Sequence, residues 1–101
     1  MTNKEISYEI CCIAESLSCL WVIDSHIDKL KDVVDKLMYY DTESIDRISQ
    51  MFDSYLMRLG CYLRGAFEDI EDLTIHPDEK GEWSILKSSI LNDLDKVISK
   101  L

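Results

Sequence analysis

Residues 45–73, IDRISQMFDSYLMRLGCYLRGAFEDIEDL, decide the fold class. Ile45, Ile48, Phe52, Tyr55, Leu59, Leu63, Ala66, Ile70 and Leu73 recur at spacings of three or four, which puts them on one stripe of an α-helix and on no single face of a strand. The stripe predicts one uninterrupted amphipathic helix, begun by a turn and cap at Tyr39, Tyr40, Asp41, Thr42 and Glu43. Gly60 and Gly65 inside it each cost about 1 kcal/mol relative to alanine, and the expected reason for them is the close approach of a neighbouring element.

The same period extends toward both ends of the chain. Thr2 to Glu5 (TNKE) reads as a capping box, followed by an apolar stripe of Ile6, Ile10, Ile13, Leu17 and Leu20. On a continued helix, Tyr8, Cys12, Cys19 and Val22 project opposite this stripe, and only Glu9 and Glu15 carry charge between Ile6 and Ile23, so the helix is expected to be covered on two sides. Ile27, Leu30, Val34 and Leu37 continue in a shifted phase. Either one helix runs over residues 3–39 or the chain breaks near Ser25, with a new N-cap at Ser25 to Asp28. Unbroken and straight, that helix spans on the order of 55 Å, long for a compact chain of this size. Residues 74–81 (TIHPDEKG) read as a linker with a helix start at Pro77, and Leu86, Ile90, Leu94, Val97 and Leu101 mark a last helix whose C-terminal end carries Lys96 and Lys100. Short loops between long helices predict an all-α, up-and-down antiparallel bundle of three long helices, four if the first breaks near Ser25, as a single domain over residues 1–101.

Charge and composition narrow the function classes. Twenty acidic residues against eleven basic ones give a net charge of −9, which repels phosphate backbones and anionic lipid, so neither nucleic acid nor a membrane is expected as a partner. The most apolar stretch, residues 10–23, contains Glu15 and is too short to cross a bilayer; with no leader pattern, the expectation is a soluble cytoplasmic protein. Cys12 and Cys19 lie two helical turns apart, roughly 10 Å, beyond the ~7 Å a disulfide tolerates. With no CxxC, and with His26 and His76 distant in sequence, the cysteines are expected as buried or half-buried reduced thiols and not as a zinc site.

Two carboxylate patterns bear on chemistry. Glu68, Asp69, Glu71 and Asp72 (EDIED) resemble the first half of the Mg²⁺ motif of the all-helical nucleotide pyrophosphatases, in which carboxylates on facing helices hold the metal. That resemblance implies a second carboxylate pair on a later helix, where this chain has Asn92, Asp93 and Asp95, with Asn92 in place of the expected glutamate. Asp72 and His76 would share a helix face if the helix ran that far, but Pro77 follows. No nucleophile with a neighbouring base is visible, so no catalytic residue, metal or cofactor is assigned. The second pattern is the row Asp24, Asp28, Asp32 and Asp35, joined by seven acids within residues 68–82 against the single Lys80 and partly offset by Lys31 and Lys36.

The leading expectation is a non-enzymatic interaction module that self-associates, as a dimer, through the apolar face Tyr8, Cys12, Cys19 and Val22. The alternative is an acidic inhibitor or immunity-type protein, like those of phage and mobile elements in composition only. It would dock a basic protein on Asp24, Asp28, Asp32 and Asp35. A Mg²⁺-dependent nucleotide pyrophosphohydrolase is the second alternative.

Overall fold

The computed structural model describes residues 2–77 and 80–101, and among them the chain is all-α. Its helices are α1 (Asn3–Ser18), α2 (Ile27–Met38, entered through a 3-10 turn at Asp24–His26), α3 (Thr42–Met51), α4 (Tyr55–Glu71) and α5 (Glu82–Lys100). Helix α1 packs on α2 and α5, and α4 packs on the same two, which closes a ring of four helices; α3 lies across the starts of α1 and α4.

The direction of each helix follows from one contact. An antiparallel bridge joins Val22 to Ile75, with the Ile23 N–H donating to the Thr74 carbonyl at 3.0 Å and the His76 N–H to the Trp21 carbonyl at 2.9 Å. The ends of α1 and α4 and the starts of α2 and α5 therefore share one end of the molecule. Successive members of the ring run up, down, up, down, the antiparallel bundle that the periodicity predicts.

The core is the apolar stripes. Ile6, Ile10, Ile13 and Leu17 of α1 meet Leu30, Val33 and Leu37 of α2, Leu59, Leu63 and Ile70 of α4, and Ile90, Leu94 and Val97 of α5, all buried. Thr2 caps α1 by accepting the Glu5 N–H at 3.2 Å while its hydroxyl donates to the Glu5 carboxylate, which forms the threonine half of the expected capping box and ties the two side chains together. Asp41 caps α3 by accepting the Ser44 N–H at 2.8 Å, and this hydrogen bond, together with the Ser44 side chain, holds its carboxyl below the ordinary value.

Three boundaries differ from the sequence reading. The first helix stops at Ser18, ahead of Ser25, and residues 20–23 (Leu-Trp-Val-Ile) run extended. Pairing with residues 74–76 satisfies the backbone groups that leaving the helix exposes, so no glycine or proline is needed to end it. The long stripe of residues 45–73 is two helices, because Phe52 is extended (φ −136°, ψ 127°) between α3 and α4. Its ring lies under the Arg58 guanidinium at 4.1 Å, and the Tyr55 hydroxyl at the start of α4 donates to Asn3, whose side-chain amide donates to Asp46. Finally, α5 begins after Gly81, which is left-handed at φ 66°, and not at Pro77. Asp78 and Glu79, expected near that start and in the acidic stretch, lie outside the described residues.

Candidate interaction surface

The antiparallel packing of α2 on α4, with α3 beneath, brings together rings that are scattered in the sequence. Tyr39 and Tyr40 directly follow α2, and Tyr62 lies two turns into α4, just off its buried stripe. Tyr39 meets Tyr40 edge to face at 5.3 Å, and Tyr40 stacks obliquely with Tyr62 at 6.3 Å. Tyr39 and Tyr62 are more than half exposed, at 56% and 59%. Tyr40 is half-buried; its burial, followed by the neighbouring Tyr62 and Tyr39, pushes its phenol up and keeps it a neutral ring at physiological pH.

These rings divide a groove into two hollows. The hollow toward α3 holds about 260 Å³ and is walled by Ile45, Ile48, Phe52, Tyr55 and Arg58. The one running along α2 and α4 holds about 650 Å³ and adds Asp32, Asp35, Lys36, Cys61, Gly65 and Asp69. Asp32 is engaged by Lys36 at 3.0 Å, a pair that raises the lysine, whereas Asp35 and Asp69 have no salt-bridge partner among the described residues. The groove thus joins exposed aromatic faces to two unpaired carboxylates.

The sequence-predicted acidic row is only partly assembled. Asp32 and Asp35 line the groove, whereas Asp24 sits in the 3-10 turn and Asp28 in the first turn of α2, near the opposite end. The predicted apolar face does not form as drawn. Val22 is 1% exposed and belongs to the core, because the chain has left the helix by that point and alternates sides as a strand does. Tyr8, at 67% exposure, and Cys19 remain on the surface, Cys12 is half-buried beside Tyr8, and the exposed Glu15 interrupts them. The hydrogen bond with Cys12 raises the Tyr8 phenol.

The four cysteines are unbridged, but Cys11, Cys19 and Cys61 are exposed where buried or half-buried thiols were expected, since they lie off the stripes. The histidines serve the chain crossing. His26 Nδ1 accepts the Thr74 N–H at 2.8 Å, and His76, beyond the end of α4, stacks on Trp21 at 3.9 Å, with Trp83 edge-on to the same indole. Asp72 and His76 therefore do not share a helix face. Among the described residues no three His, Cys, Asp or Glu side chains converge as metal ligands, the carboxylates of residues 68–72 and 93–95 included.

The sequence reading missed Phe52, Arg58 and Tyr62 as surface residues and read Tyr39 and Tyr40 only as a turn. The available signal was three aromatics, Tyr39, Tyr40 and Tyr62, just outside apolar stripes whose helices are expected to be neighbours. No family model matches this sequence, and comparison with characterised proteins and with solved structures finds no similar chain.

Proposed function

We propose that the chain is a non-enzymatic interaction module that captures a basic protein partner in the tyrosine groove between α2 and α4. The observation carrying this reading is the pairing of exposed Tyr39 and Tyr62 rings with the unpaired Asp35 and Asp69 in one concave surface. Tyrosine supplies large contact area at low entropic cost, and carboxylates beside it favour a cationic partner. The overall charge of −9 works in the same direction, by steering encounter with a basic surface. A second copy of the chain fits less well, since a two-fold contact through this groove sets the same carboxylates against each other.

The test is a photocrosslinking residue, p-benzoylphenylalanine, replacing Tyr62 in the native cell, with the same residue replacing Glu9 on α1 as control. The expected result is one discrete adduct from position 62, to a basic protein, weakened by salt. An adduct to the chain itself, accompanied by a dimer in light scattering, assigns the groove to self-association and overturns the basic-partner reading. No adduct, or identical adducts from both positions, overturns the groove.

A further inference from the structure

The two ends of the groove differ in character. Toward α3 the hollow is apolar, and its cation, Arg58, is already seated over Phe52 at 4.1 Å. Along α2 and α4 the open tyrosine faces adjoin three carboxylates and one ammonium, with Lys36 committed to Asp32. A charged side chain entering this second hollow meets ring faces that attract cations and two carboxylates without a salt bridge among the described residues, Asp69 lying within the field of Lys36.

Among cations, the arrangement discriminates. An ammonium is compact and strongly hydrated and gains little from lying across a ring. A guanidinium is planar, more weakly hydrated, and carries five N–H donors in a rigid fork, so it stacks flat on a phenol while directing donors to carboxylates at its edge. Helices α2 and α4 supply one carboxylate each, Asp35 and Asp69, to the lining of the same hollow, so a forked donor entering it has an acceptor on either wall. The chain itself uses this mode of contact at Arg58 and Phe52.

We infer that the groove takes an arginine-bearing segment of its basic partner: the guanidinium lies on the exposed tyrosine faces with its N–H groups toward Asp35 and Asp69, and a neighbouring apolar residue fills the hollow at Phe52 and Tyr55. This rests on the groove reading above and narrows it to one anchoring side chain.

The probes are a capped hexapeptide carrying leucine and arginine two positions apart, and versions with lysine or uncharged citrulline in place of the arginine. Two readouts apply to the full chain: the tyrosine ring resonances, and the rate at which iodoacetamide alkylates Cys61, which lines the groove, against Cys11 on α1 and Cys19 just past its end. The arginine peptide is expected to shift Tyr39 and Tyr62 and to slow alkylation of Cys61 alone. The citrulline version is expected to bind about tenfold more weakly, equivalent to about 1.4 kcal/mol. Lysine should fall between, and the double substitution Asp35→Asn, Asp69→Asn should erase the gap between arginine and citrulline. Both positions are exposed, so the fold tolerates the change. Equal binding of arginine and citrulline overturns the arginine assignment and leaves an apolar docking groove standing. Absence of any groove response to the three peptides also overturns it, and the crosslink from position 62 then decides separately whether the groove reading falls too.

Discussion

Lys87→Met probes how the bundle closes. The last carbonyls of a helix have no partner within it. At the end of α4 the Lys87 ammonium, reaching across from α5, donates to the Glu71 and Leu73 carbonyls, each at 2.8 Å. Methionine keeps most of the apolar stem and removes both donors. A hydrogen bond to a charged group is worth about 1.5 kcal/mol at the low end. The bond to Leu73 is part-buried and keeps that value, while the exposed bond to Glu71 is discounted to about a third by solvent. The sum is about 2 kcal/mol. Unfolding a chain of this length carries an entropy of about 0.2 kcal/mol/K, so the melting temperature should fall by roughly 10 °C. Calorimetry on Lys87→Met beside Lys96→Met, an exposed lysine about two and a half turns further along α5, gives the comparison; the control should stay within about 0.5 kcal/mol of the parent. Because residues 71–73 lead directly into the Val22–Ile75 bridge, the amides of Ile23 and His76 should also exchange faster in the variant. A Lys87→Met chain that melts with the control and protects those amides as the parent does would refute the assignment of Lys87 as the cap of α4.

Three further substitutions test separate parts of the structure. Val22→Ala should cost about 2 kcal/mol because the side chain is core, whereas Cys19→Ser should stay within about 0.5 kcal/mol; denaturant midpoints separate the two, and equal costs would return Val22 to the surface. Asp41→Asn keeps an α3 cap but removes its titration. The carboxyl is depressed by the Ser44 N–H, so its added stability is complete above the ordinary carboxylate pKa of about 3.9 and is lost as pH falls through the lowered folded value. The difference in melting temperature between parent and variant should therefore shrink over that acid window. Gly65→Ala should raise stability by about 1 kcal/mol, since a Cβ there meets nothing within 4 Å, and should weaken partner binding, since the added methyl faces the groove.

The helices were legible because apolar residues recur every three or four positions, and the caps at Thr2 and Asp41 marked two starts. The breaks were not. At Phe52 the stripe keeps its phase across the gap, with Ile48, Phe52, Tyr55 and Leu59 still spaced at four, three and four, so periodicity alone reads straight through. At residues 19–23 no glycine or proline marks the exit, because its cause is a pairing partner more than fifty residues away at Thr74 to His76. That one missed turn also put Val22 on a helix face it never occupies. Gly65 was read as a place for close packing and faces open space, a distinction that depends on how α2 and α4 are spaced and not on either sequence.

The groove depends in the same way on which helices pack together, and it lies at one of two ends of the bundle that are tied differently. At one end the chain crossing is tied by the Val22–Ile75 bridge, the His26 to Thr74 bond, the Trp21, His76 and Trp83 stack and the Lys87 cap. Toward the other end, where α2 finishes and α4 begins, the rings of Tyr39 and Tyr62 stand open to solvent beside the Phe52 break. The buried stripes run the full length of the bundle, from Ile6, Leu37 and Leu59 at this end to Leu17, Leu30 and Ile70 at the other, so the exposed Tyr39 and Tyr62 rings are area left over beside a core that is already complete. The two ends should then respond independently. Lys87→Met should lower the melting temperature and leave arginine-peptide affinity unchanged below it, while Tyr62→Ala, at a side chain already more than half exposed, should abolish the peptide response with a melting shift of only a few degrees. If the two effects travelled together in either variant, the rings would be part of the core's support, and the separation of a folding end from a binding end would not hold.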